Sequence, residues 1–227
     1  DPVARAEIEA RYLAPMLPIA EQIARVDAVA AAIAGPMVDV QYAPNGPQWG
    51  SDALWEAIAE ASARTGRRVT THLFETKYQR DWADRTYPGG LVKRWKEIGL
   101  LSPRLTLAHC VWARPDELEM IAEAGCVIAT NTSSNLALRS GLAPVAEMAA
   151  RGCKVALGVD GQAFDEDDDA LRELRLLWSL HGGWGFDQTL SPRDALAMAL
   201  ETGRIALGAP AGGQLAEGQA GDLLILD

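Results

Sequence analysis

The chain of 227 residues is short of positive charge, aromatic side chains, histidine and long apolar runs, and each shortage removes a class of function. Its 21 lysines and arginines face 31 aspartates and glutamates, a net charge of −10. Such a field repels the phosphates of nucleic acid and of anionic lipid, so neither is an expected partner. No stretch reaches the roughly 18 consecutive apolar residues of a membrane span, and the opening DPVARAEIEARY has no signal-peptide core. Cys110, Cys126 and Cys153 form no CxxC pair, and each lies in or beside an apolar run, which predicts reduced, buried thiols and a cytoplasmic setting. No glycine-rich turn of GxGxxG or GxxxxGKS type follows an apolar run, so the common phosphate cradles are missing too.

What is present is balanced: 48% hydrophobic and 23% charged residues, enough for one large α/β domain. Residues 1–34 carry apolar positions at helical spacing and end at Gly35-Pro36. Short β-branched runs then alternate with helical stretches. The runs are 38–44, 67–74, 104–111, 126–131 and 154–160, and helices are predicted over 52–65 and 115–124 and near 89–98 and 144–151. Their ends at Tyr42, His72, His109, Asn131 and Asp160 lie 30, 37, 22 and 29 residues apart, the length of a parallel-strand repeat with its crossover helix. An open doubly wound sheet and a closed (β/α)8 barrel both accept this order. The polar residues gathered at the C-terminal ends of the strands favour the barrel, which builds its active site there. Two further helices are predicted over 168–181 and 192–206, and GQLAEGQAGDLLILD reads as a glycine turn into a strand of a small separate sheet. The division expected is 1–207 for a partial barrel and 208–227 for the start of that sheet, with the missing strands ahead of residue 1.

Two of the three histidines end consecutive runs, His72 in VTTHLFET and His109 in LTLAHCVW, and Asp160 ends another in VALGVDG. Two imidazoles and a carboxylate at one rim would suit an open Zn²⁺ or Fe²⁺ site. The bland alternative is three solvated strand ends. Glu75 stands three residues past His72, where a carboxylate can lean over the mouth without binding metal and carry a proton. Cys110 adjoins His109 on a strand and points to the opposite face, so thiol chemistry is disfavoured.

These residues carry a resemblance. His72-Leu73-Phe74-Glu75-Thr76, Ala108-His109-Cys110-Val111-Trp112, Ser133-Ser134-Asn135-Leu136 with Ser140-Gly141-Leu142-Ala143-Pro144, and Gly158-Val159-Asp160-Gly161 are similar in order and spacing to the amidohydrolase superfamily, in its cytosine-deaminase and triazine-hydrolase-like branch. The resemblance covers about residues 36–227. It implies the C-terminal half of a TIM-type barrel, strands 4 to 8, and the start of the C-terminal part of a β-sandwich. It also implies His72 and Asp160 as metal ligands, with His109 close to the metal as a further ligand or as the group polarising water or leaving group. Glu75 would be the proton shuttle, and Asp160 an acceptor for the water proton as well as a ligand. One divalent metal is implied, Zn²⁺ first and Fe²⁺ second. The family's HxH pair has no counterpart here, so this stretch alone is expected to bind metal poorly and to need the missing half of the barrel.

The implied reaction is hydrolytic deamination of an aromatic N-heterocycle of nucleobase, pterin or triazine type. Amine- or chloride-releasing triazine hydrolysis is the alternative, and a non-catalytic barrel used for protein association is a rival of another class. Asn45, Gln48, Trp49, Trp112 and Asn135 are the candidate substrate contacts, though Asn45 could equally cap its turn, either Trp could be packing, and Asn135 could hold its loop. The sequence departs from the pattern at Asn45, where relatives often carry His or Cys, and at Thr132, where they commonly carry Pro. The acidic run 165–169 reads first as a helix N-terminus and second as a selector for neutral or cationic amines. His181 is expected at a helix end or on the surface. A homo-oligomer is the expected assembly.

Overall fold

The computed structural model describes residues 3, 6, 17–35, 37–161, 169–209, 212–223 and 225. Four strands, β1 (Val69–Leu73), β2 (Leu105–His109), β3 (Val127–Thr130) and β4 (Lys154–Leu157), pair in parallel in the order β1-β2-β3-β4. The order never reverses. A doubly wound sheet needs a reversal to place helices on both faces, whereas right-handed crossovers in one unbroken direction put every helix on the same side, as in a barrel wall.

Register and burial separate the two faces. Val69, Leu73, Leu105, Leu107, Ile128 and Val155 share one face and join a core built with Trp55, Ile58, Trp95, Leu118, Ile121 and Met148. The opposite face carries Thr70, His72, Thr106, Ala108, Ala129 and Ala156, small or polar residues outside that core. The helices that cover the apolar face are α2 (Asp52–Thr65), α3 (Lys77–Thr86), α4 (Leu91–Glu97), α5 (Pro115–Glu123) and α7 (Val145–Ala150). Their boundaries follow from local chemistry. Ser51 and Thr76 cap α2 and α3 by accepting from Leu54 N and Gln79 N, and Gly66 ends α2 in the left-handed region at φ 73°. Pro115 opens α5 where its missing N–H costs nothing.

Ahead of the sheet, α1 (Ile19–Ile33) is the described part of the predicted N-terminal helix. After it, α8 (Ala170–His181) begins at Asp169, whose carboxylate accepts from Leu171 N and Arg172 N at 3.0 and 3.1 Å. Asp169 therefore serves the helix start; Asp165–Asp168 lie outside the described residues. The 192–206 prediction holds as α9 (Pro192–Ala197), a π turn at Met198–Thr202 packed on β4, and α10 (Gly203–Ala206). No helix among the described residues is long and apolar enough to cross a membrane.

Two expectations need correction. The run at 38–44 makes only a single parallel bridge, Tyr42 to Val69, with Tyr42 N donating to Arg68 O and Thr70 N to Tyr42 O, both at 2.9 Å. Val38 turns back to bridge Gly35, and Pro44 lacks a donor, so the ladder does not propagate. Two helices the sequence did not announce are present: α3, and α6 (Thr132–Ala137), which follows β3 directly. The described residues of 212–221 form turns and irregular backbone, with Gly213 and Gly218 at φ 94° and 83°; the strand expected after them falls largely outside the described residues.

Candidate active site

His72, on the small-residue face near the end of β1, makes a short contact through Nδ1 with the backbone carbonyl of Asn45. A carbonyl only accepts, so Nδ1 is the donor in this contact and Nε2 is the nitrogen left for another partner. His109 is less simply placed. Strand alternation assigns it to the core face with Leu105 and Leu107, but its φ of 73° turns it back, and its ring stacks on His72 at 5.3 Å between centroids and 17° between planes. Phe74, Cys110 and Asp160 also take positive φ, at 50°, 49° and 64°. Non-glycine residues there cost on the order of 1 kcal/mol or more each, and such strain gathers where side chains must be re-aimed.

His109 is buried, with Nδ1 2.9 Å from Asn135 Oδ1 and 3.4 Å from Asn131 Nδ2, and with Nε2 4.0 Å from Asp160 Oδ2. Ser134 Oγ donates to that same Asp160 oxygen at 2.5 Å. Gly158 makes room for this cluster, because a Cβ there would lie 2.2 Å from Asn131 Oδ1. Glu75 is half-buried; its backbone N–H donates to Gln79 Oε1 at 2.8 Å, and its carboxylate makes no hydrogen bond with the described residues. The bend that carries it is braced from below. The Arg80 guanidinium lies 3.9 Å over the Phe74 ring and donates to both oxygens of buried Glu117 at 2.8 and 2.7 Å.

The predicted substrate contacts divide. Asn45 meets His72 through its backbone while its side chain is exposed. Gln48 and Trp49 lie on a single 3-10 turn, Pro47–Trp49, with Gln48 Oε1 buried and unpartnered among the described residues and Trp49 61% exposed. Trp112 donates its indole N–H to Ser140 O at 2.8 Å and lines a cavity of about 460 Å³ with Arg80, Asp84, Arg114 and Leu142. None of His72, Glu75, His109 and Asp160 lines that cavity. Asn135 is 1% exposed, and its Oδ1 lies against His109 Nδ1. Asn131 and Ser134 were not among the predicted site residues, although Asn131 ends a strand as the others do. His181 ends α8 as expected but is buried, and burial lowers the pKa of its imidazole. Burial likewise pushes the Cys110 thiol well up, and Cys126 and Cys153 up to about 11, in keeping with inert structural thiols.

The donor chemistry suits a divalent metal in part. A metal-binding imidazole ordinarily holds its second nitrogen against a carbonyl or carboxylate, as His72 does with Asn45. The number of donors is short, since no three His, Cys, Asp or Glu side chains gather to hold an ion among the described residues.

The model of the amidohydrolase family matches residues 11–227. The chain is 34% identical over 191 residues to a 5-methylthioadenosine/S-adenosylhomocysteine deaminase of Dictyoglomus thermophilum, covering 84% of this chain and 45% of the relative. It is 32% identical over 191 residues to a 5′-deoxyadenosine deaminase of Methanosarcina barkeri, covering 84% and 44%. Among solved structures, the zinc complex of atrazine chlorohydrolase from Arthrobacter aurescens superposes with a TM-score of 0.81 at 28% identity, over 90% of this chain and 46% of that one. A zinc-bound adenosine deaminase from Xanthomonas campestris gives 0.76 at 27%, over 82% and 43%. The chain thus spans about half the length of the curated relatives it matches. With the parallel sheet, its strand-end histidines and aspartate, and a family model that matches nearly all of its length, the chain belongs to the amidohydrolase family.

Proposed function

We propose that the chain supplies the second half of the barrel of a hydrolytic deaminase, acting on the amino-substituted ring of a 5′-modified adenosine or a similar aromatic N-heterocycle. The observation that carries this reading is the stacked His72–His109 pair with Asp160 at one end of a parallel sheet, His72 being held through Nδ1 by a carbonyl. His72 Nε2 and Asp160 would hold one divalent metal, zinc before iron, with further ligands from outside this chain. When bound, such a metal lowers the pKa of water toward neutrality. Asp160 and Glu75 receive the proton of the attacking water, and Glu75 delivers a proton to the departing nitrogen. A C–O bond forms at the ring carbon, the C–N bond breaks, and ammonia leaves. His109 Nε2 hydrogen-bonds at the reacting centre. Gln48 Oε1, buried and without a partner among the described residues, would accept from a ring N–H or amino group.

A second reading is displacement of chloride from a triazine by the same groups, favoured by the TM-score of 0.81 to the chlorohydrolase. The test is to load the full-length protein with zinc and incubate it with 5′-methylthioadenosine, 5′-deoxyadenosine and atrazine. Ammonia from the nucleosides is the expected result, and chloride from atrazine would move the assignment to the second reading. Neither product together with no retained metal would leave a non-catalytic barrel. The buried free thiols fit a cytoplasmic protein, and exposed Trp178, Trp184 and Phe186 would serve a homo-oligomer that light scattering can detect.

A further inference from the structure

Asn135 occupies a rigid place. Its backbone N–H donates to Asn131 O at 2.9 Å, and its carbonyl accepts from Ser140 N at 2.8 Å. Two residues earlier, Ser133 N donates at 3.1 Å to the Glu173 carboxylate of α8, itself 1% exposed. The Asn135 amide and the His109 ring are each 1% exposed, so bulk water does not compete for their contact.

We propose that Asn135 is a positioning residue that holds His109 as its Nδ1–H tautomer, leaving the Nε2 lone pair directed toward Asp160 and the mouth. A neutral imidazole has one proton to place. On Nδ1 it meets Asn135 Oδ1 at 2.9 Å, an ordinary N–H···O distance. On Nε2 it makes no hydrogen bond among the described residues; Asp160 Oδ2 lies 4.0 Å away, beyond hydrogen-bond reach and already receiving the Ser134 hydroxyl. Asn131 Nδ2, at 3.4 Å from Nδ1, makes only a weak contact in comparison. If the Asn135 amide were reversed, its NH₂ would donate to Nδ1 and the proton would move to Nε2. The orientation of one buried amide therefore decides whether His109 accepts or donates at the mouth.

The catalytic consequence rests on the deaminase reading, in which His109 Nε2 hydrogen-bonds at the reacting centre and, with a free lone pair, would accept there; the tautomer itself is measurable without turnover. The full chain, labelled with ¹⁵N-histidine and free of metal, is observed at about pH 8, above the ordinary imidazole pKa near 6.5. Long-range ¹H–¹⁵N correlations, assigned with His109→Gln, are expected to show a protonated-type Nδ1 and a lone-pair-type Nε2. Asn135→Leu removes the acceptor and should shift both resonances toward each other, while Asn135→Asp should keep them apart. A wild-type spectrum with the proton on Nε2 overturns the proposal, even if the leucine variant fails to fold. So does an Asn135→Leu spectrum unchanged from wild type. Absence of ammonia release would remove the deaminase reading and leave the tautomer result standing.

Discussion

Glu75 and His72 are separated by two residues, yet the bend at Phe74 gives them different work to do. His72 is fixed on the sheet by the Asn45 carbonyl, while the Glu75 carboxylate is unbonded among the described residues and able to move a proton. In the zinc-loaded full-length enzyme, Glu75→Gln keeps size and most hydrogen bonding but cannot carry the proton. Turnover is expected to fall by about 10²-fold or more with metal content unchanged, whereas His72→Ala should lose metal and activity together. Metal analysis beside initial rates separates the two. Near-normal turnover in the glutamine variant would remove Glu75 from the mechanism. At this scale the sequence marked His72 and His109 as strand-end residues and was silent about where one of them points. His109 sits on the wrong parity for the mouth, and only its left-handed backbone returns it there.

Between elements, two polar links tie helices into the frame. The first joins α3 to α5, where Arg80 bridges Glu117 and Asp84 beneath Phe74, the Arg80 and Glu117 side chains being 7% and 5% exposed. Burial favours protonation of Asp84, but hydrogen bonds from Arg80 and then Arg114 outweigh it and hold its carboxyl below the usual range. Removing one member of a buried pair strands the other, so Glu117→Ala should cost about 3–5 kcal/mol in urea unfolding. A loss under about 1 kcal/mol would show that water reaches Arg80. The second link joins α1 to α2: the Tyr42 hydroxyl donates to Asp27 at 2.6 Å, and Arg64 adds to it, holding the Asp27 pKa low. A depressed carboxyl pKa stabilises the fold fully above its unfolded value near 3.9, and that contribution vanishes as pH falls through the folded value. Thermal midpoints of Tyr42→Phe should therefore fall less than those of the wild type on acidification below about pH 4. Parallel curves would exclude the link. Neither link between elements was legible beforehand, because Tyr42 and Asp27 lie 15 residues apart and Arg80 and Glu117 lie 37 apart, and pairing across elements has no sequence period. Most helices and strands were, because their apolar spacing is local; α3 and α6 were not.

For the whole molecule, the three thiols report on the integrity of the core. Cys110, Cys126 and Cys153 are free and buried, and a thiol at about 11 carries some two hundredfold less thiolate at pH 8 than an unperturbed one near 8.5. Reaction of these cysteines with a disulfide reagent should be slower by at least that factor in the native protein than in denaturant. Rapid native labelling of Cys110 would mean that the sheet and its helices come apart.

The sequence by itself determined the alternation of most strands and helices, the parallel order of the runs at 67–74, 104–111, 126–131 and 154–160, and the negative field, and it marked His72, Glu75, His109 and Asp160 as candidates. Each of these is written in composition, in short-range period or in a family motif. Only the tertiary structure decided that 38–44 contributes one bridge and not a strand, that Asn131, Ser134 and Asn135 converge on His109 and Asp160, and that Asn135 is buried behind the histidine. Strand pairing and side-chain hydrogen bonds depend on which distant segments become neighbours, and a linear pattern does not carry that information.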